Sequence, residues 1–209
     1  MGPSSRTAAP ELAEEMSARS TEGPDPRRTT SSWRRRRRLL LGSLGVVFVL
    51  VVMVAAATLR LFVFPPADQP THVDGILSLN GSDEGARAAF AVSLAEKGYA
   101  PVLLFSQGGE SADTSCPKVP RVTVVCFVDV SNNTRGEAEW AGRYATRHNW
   151  HSLLIVPGRA QATRARLLTE RCFSGRVTVV PVAESRPALS EIIHQWGGLL
   201  DALFVDRGC

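Results

Sequence analysis

Four short polar segments interrupt the aliphatic runs in the second half of the chain: NGS at 80–82, SQGG at 106–109, SNNTRGE at 131–137 and PGRAQATR at 157–164. Gly81, Gly108, Gly109 and Gly158 allow a ligand close to the backbone, and helix starts leave N–H groups unpaired. Arg159 and Arg164 add cations. Backbone N–H groups together with guanidinium select an anion, most readily phosphate or carboxylate. Asn80, Ser82, Ser106, Asn133, Thr134 and Gln161 supply neutral donors and acceptors for the same ligand. Glu137 is the carboxylate in these segments that could move a proton, and is the candidate catalytic residue. A blander role is open for any one turn, because small polar residues are what turns need anyway. Asn133 or Thr134 suits the N-cap of the helix that follows, and with Thr134 as cap, Glu137 falls at N3 and completes a capping box.

The other titratable groups give less. His148 and His151 flank the start of a strand-like run, at the edge opposite the polar turns, and His72 and His194 stand apart from them in sequence. No C-x-x-C or Cys/His cluster is present, so no metal site is expected, and any cofactor is left undefined.

These turns need a scaffold, and the runs around them define one. Residues 73–79, 102–106, 122–128, 152–157 and 177–181 are short and largely aliphatic, as strands buried on both faces are. Segments with helical spacing lie between and after them, at 83–97, 135–148, 162–172 and 188–204. The first of these sets Ala86, Ala89, Phe90 and Leu94 on one side and ends at Gly98, a C-cap residue. Alternation of strand and helix implies right-handed crossovers and a mostly parallel, five-stranded sheet in a three-layer, Rossmann-like α/β domain over 72–209. In such sheets ligands collect outside the carboxyl ends of the strands, where all four polar turns fall.

The first 71 residues are of another kind. Residues 39–59 carry no charge, and at about 1.5 Å per residue this run spans roughly 30 Å, a bilayer core. A transmembrane helix is expected over 39–64, followed by a linker at 65–71. A cleaved signal peptide, with Ala55–Ala57 as its site, is the alternative, but the leader and the apolar run are both long for one. Arg34–Arg38 precede the run, which places the N-terminus in the cytoplasm, the later domain outside and the basic residues against anionic membrane lipid. Residues 1–38 read as a disordered tail with nine arginines against five acids, whereas 65–209 hold fourteen basic residues against fifteen acids. The outer domain thus has no basic excess for nucleic acid, which is not an expected partner. MGPSSR departs from the myristoylation pattern at Arg6. Cys116, Cys126, Cys172 and Cys209 all follow the apolar run, where disulfides persist. Three pairings are open; Cys116 with Cys126 and Cys172 with Cys209 is preferred, the first closing a short loop and the second pinning the chain end.

The order of motifs resembles the YdcF, SanA and ElyC family over about 72–209. NGS, SQGG, NTRGEA at 133–138 and PGRAQATRA at 157–165 are similar to its strand-end Gly turn, its Ser-Gly-Gly-like turn, its Asn-Thr-x-x-Glu/Asn-Ala element and its Thr-Ser-x-Tyr-His-x-x-Arg-Ala element. The last departs: Ala160 stands where the family has Tyr, and Gln161 where it has His. Gln161 can hold a ligand but cannot shuttle a proton. The resemblance implies cell-envelope roles, as for some members of that family; the anion-selective turns on a domain tethered outside the membrane suit an anionic small molecule or a lipid-linked, phosphorylated envelope intermediate as ligand. The altered fourth element favours binding of such a ligand, in envelope biogenesis or barrier function, over an envelope enzyme of phosphoryl or glycosyl-lipid chemistry that uses Glu137, which is the alternative.

Overall fold

The computed structural model describes residues 26–81, 84–108, 116–129, 131, 133–182 and 187–209. The chain separates between Met53 and Val54 into two units. Helix α1 (Pro26–Thr58) begins in the first. Arg36–Val63 is the one stretch among the described residues long and apolar enough to cross a membrane, with a mean hydropathy of 2.8 in its most apolar part. Val46, Phe48 and Met53 are more than half exposed to their surroundings, as suits side chains meant for hydrocarbon.

The second unit is an α/β domain. Its strands are β1 (Gly75–Ser78), β2 (Val102–Gln107), β3 (Thr123–Val128), β4 (Ser152–Val156) and β5 (Arg176–Val179). They form one sheet in the order β3-β2-β1-β4-β5, with every pair parallel. Helices α2 (Glu84–Glu96), α3 (Thr134–Arg147), α4 (Ala162–Cys172) and α5 (Leu189–Leu200) follow β1, β3, β4 and β5. Because side chains alternate along a strand, each strand supplies both faces. Leu77, Leu104, Leu153 and Ile155 meet Ala141 and Ala145 of α3 and Ala162 and Ala165 of α4. Ile76, Leu103, Leu154 and Val156 meet Ala91, Leu94 and Ala95 of α2 on the other side. The result is the expected three-layer, Rossmann-like arrangement, all-parallel rather than mostly so.

Two details differ from the sequence expectation. The buried face of α2 is Arg87, Ala91, Leu94 and Ala95, whereas Ala86 and Ala89 are exposed. A charged residue had concealed the true register. The last helix is shorter than 188–204: α5 stops at Leu200 and a π-helical turn, Asp201–Val205, carries the chain on. Gly98 does end α2, at φ 81°.

Residues before β1 are integrated into this unit. Phe62 is fully buried with Ala160 and Leu199, and meets the Trp196 ring edge-on at 5.2 Å. Asp68, within the expected linker, accepts hydrogen bonds from Val179 N and Arg166 Nη2, both at 2.8 Å. The disulfides are Cys116–Cys126 and Cys172–Cys209, the pairing preferred from sequence.

Candidate functional site

The sheet order reverses direction at β1, so the connections leaving β1 and those leaving β4 diverge. A crevice therefore opens beyond their carboxyl ends. A cavity of about 330 Å³ lies there, lined by Asn80, Gly81, Ser106, Gln107, Asp129, Asn133, Thr134, Glu137, Gln161, Arg164 and His194. A smaller one of about 170 Å³ shares Gly81, Gln161, Arg164 and His194 with it and adds Arg87, Gly158, Glu191 and Gln195. The combined space suits a small molecule or a headgroup.

The start of α3 answers how its polar residues are used. Asn133 has extended backbone and its side chain accepts from Gly136 N at 3.0 Å, so Asn133 is the N-cap. The capping box with Thr134 as cap is not formed. Glu137 stands one position further into the helix than such a box needs, and its carboxylate turns across to β1 instead, where Oε1 accepts from Asn80 N at 2.6 Å. Asp129 supports the turn by accepting from Asn133 N at 3.1 Å and from Ser131 Oγ at 3.2 Å. A Cβ at position 136 would collide with the Asp129 carboxylate, so glycine is needed there for this close approach.

Thr134 is thereby released from capping, and it is 4% exposed. Its hydroxyl oxygen accepts from Gln161 Nε2 at 2.6 Å and from Arg164 Nη2 at 3.1 Å. With both lone pairs engaged, the Thr134 hydroxyl retains its proton for a further acceptor. Gln161 is fixed at both ends, since its Oε1 accepts from Arg87 Nη1 at 3.3 Å.

Asn80 joins the two sides. Its carbonyl accepts from Arg87 Nη1 and its side-chain Oδ1 from Gly81 N, each at 2.6 Å. Gly81 has φ 132°, and a side chain there would press on the Arg87 guanidinium. Arg87 is 1% exposed, a charge tolerated because the site offers it acceptors.

Glu137 is 3% exposed, and burial raises its pKa from 4.5 to about 7. The hydrogen bonds from Asn80 N and Ser106 and the charge of Arg87 work the other way, while Asp129 adds to the rise. Near neutrality the carboxyl is therefore divided between acid and base, as a group that exchanges protons must be. Burial also lowers the Arg164 pKa, partly offset by Glu137, but a guanidinium remains charged. Arg164 Nε and Gln195 Oε1 are shielded from solvent and have no hydrogen-bond partner among the described residues.

Of the residues expected from sequence, Asn80, Gly81, Ser106, Asn133, Thr134, Glu137, Gln161 and Arg164 thus share one cavity. Gly108 lies against the Asn80 side chain. Arg159 lines neither cavity. Ser82 and Gly109 lie outside the described residues. His148 stacks on Tyr144 at 4.2 Å, His72 sits by Tyr99, and the His151 N–H bonds Asp74 beside β4's start, all away from the cavity. His194 reaches it from α5.

Arg87, Gln107, Asp129 and His194 are site residues that sequence reasoning did not select. Arg87 had a usable signal: an arginine in helical register with Ala91, Leu94 and Ala95, at a core-facing position. His194 had none, because only tertiary structure brings α5 to this edge.

Fold and site together define a membrane-helix-bearing, Rossmann-like domain with a polar cavity at its topological switch point. No family model matches the chain, and no curated protein or solved structure matches it.

Proposed function

We propose that this is a single-pass, membrane-anchored protein whose extracytoplasmic domain binds a phosphorylated or otherwise anionic cell-envelope metabolite and contributes to envelope biogenesis or barrier function. The observation that carries the reading is the Thr134 hydroxyl, which lines the cavity beside Arg164 and accepts from Gln161 and Arg164, leaving its own proton for an acceptor in the cavity. A hydroxyl donor and a cation beside a helix start form a receptor for an oxyanion. Glu137 fits this reading in its protonated form, which donates to an anion where the carboxylate would repel it. Arg34–Arg38 before the span and the two disulfides after it support a cytoplasmic N-terminus and an oxidising compartment for the domain. The resemblance to the YdcF, SanA and ElyC family supports the envelope role.

Titration of the full chain in detergent with inorganic phosphate, a sugar phosphate and a polyprenyl phosphate tests the proposal. Saturable binding of at least one, weakened about tenfold or more by Arg164→Ala, is expected. Absence of binding by all three, or equal binding by the variant, refutes it.

A second reading has its own observation, the Glu137 pKa of about 7. In it the protein is an envelope enzyme of phosphoryl or glycosyl-lipid chemistry, and Glu137 delivers a proton to a leaving oxygen or takes one from a nucleophile. Turnover with a pH break near 7 that Glu137→Gln abolishes would favour it over binding alone.

A further inference from the structure

We propose that the outward face of α5 and the turn after it lie in the membrane interface, so that the domain rests on the bilayer it is anchored to, with its cavity opening beside the headgroups. This rests on the reading of the apolar run within Arg36–Val63 as a membrane span. Leu189, Ile193 and Leu200 are 73%, 64% and 47% exposed. Spacings of four and seven residues hold them on one side of the helix. Phe204 and Val205 continue the exposed apolar surface through the following turn. A soluble surface rarely gathers so many large apolar side chains, so this face has an occupant.

Continuity identifies the occupant. Trp196 lies in the same stripe, packs edge-on against Phe62 and donates its indole N–H to Thr58 Oγ1 at 3.0 Å. Thr58 is the last residue of α1 and falls within Arg36–Val63. The carbonyl of Leu61 accepts from Thr163 Oγ1 at 2.7 Å, which ties the same stretch to α4. The apolar stripe thus runs directly from a side chain bonded to the end of the span. An amphipathic helix beside a span, with a tryptophan at the junction, is built for the headgroup boundary. Ile193 belongs to the stripe, and the next residue, His194, lines the cavity. One helix therefore faces both the bilayer and the ligand, which makes a phosphate carried on a lipid the ligand class this geometry serves best.

The test uses the full chain, both disulfides retained, in vesicles of phosphatidylethanolamine and phosphatidylglycerol. Nitroxide labels are placed at Ile193→Cys and Phe204→Cys, at Arg143→Cys as an exposed control on α3, and at Val49→Cys within the span. Expected are oxygen-to-nickel-chelate accessibility ratios at 193 and 204 severalfold above that at 143 and approaching that at 49. If 193 and 204 resemble 143 while 49 reports hydrocarbon, the anchor stands and the proposed face is wrong. If 49 is also open to the nickel chelate, the span fails and the proposal falls with it. Spin–spin broadening between copies at 193, with nickel still excluded, would assign the face to a second chain and overturn the bilayer as occupant.

Discussion

Glu137→Gln isolates the physical claim on which the site depends. A carboxyl whose pKa rises from 4.5 to about 7 on folding holds a proton that the unfolded chain has already released. Below 4.5 both states are protonated and the group adds no pH dependence. Between the two values stability falls as pH rises, and above about 7 the burial of the charge is felt in full. At about 1.36 kcal/mol per pH unit, the whole swing is on the order of 3 kcal/mol. Glutamine is close in shape, is neutral at every pH and can still accept from Asn80 N, so it should abolish the swing. The variant should lie within about 1 kcal/mol of the parent near pH 5, where the parent's carboxyl is also neutral and an amide only replaces an acid in the bond from Asn80 N, and become the more stable of the two at pH 8. Urea unfolding of the full chain in detergent across pH 5–8, followed by tryptophan fluorescence, measures the difference. A stability difference that stays constant over that range, or a variant that is less stable at pH 8 than at pH 5 relative to the parent, refutes the buried, proton-holding Glu137. Anion binding carries the same signature once the second ionisation of phosphate, common to both proteins, is divided out: the ratio of parent to variant affinity for phosphate should fall as pH rises through about 7.

The remaining predictions separate positioning from recognition. Asn133→Ala removes the N-cap and should cost about 1 kcal/mol of stability in urea unfolding. Thr134→Ala strands the donors of Gln161 and Arg164, so it should cost about 1–3 kcal/mol and weaken phosphate binding as well. Gly198→Ala puts a methyl against the Arg164 guanidinium, and should lower phosphate affinity about tenfold in the same titration without unfolding the domain. The four cysteines should resist alkylation without reductant, and replacing either pair by serine should cost roughly 2–5 kcal/mol in urea unfolding.

Ala160 is buried against Phe62 and Leu199, which occupy the space that a larger side chain would need. Gln161 beside it is held between Arg87 and Thr134 and orders the site without titrating. In Gln161→His an imidazole would have to accept from Arg87 or face Thr134 with a single nitrogen, so that substitution alone does not recreate the present network.

Periodicity and breakers determined the architecture by themselves. Five aliphatic runs, each too short for a helix and each followed by a Gly- or Asn-bearing turn or helical spacing, admit little besides a parallel sheet with crossovers. The convergence of Glu137, Thr134 and Arg164 on one cavity was legible because polar groups at the carboxyl ends of such strands gather at one edge. What sequence could not supply was direction. Asn133 and Thr134 are both competent caps, and only the approach of Asp129 to Gly136 assigns the cap to Asn133 and turns Glu137 toward Asn80. Helical register places Arg87 on the core side of α2, but the acceptors that make its burial tolerable, the Asn80 carbonyl and Gln161 from a turn far along the chain, are brought to it only by the fold. His194 and the apolar stripe of α5 acquire meaning only when Trp196 is fixed on Phe62 and Thr58. Local residue types decide which elements form, since that choice is governed by neighbours in sequence. Which side chains share a low-dielectric cavity, and what pKa they have there, is set by contacts that the folded chain alone brings together.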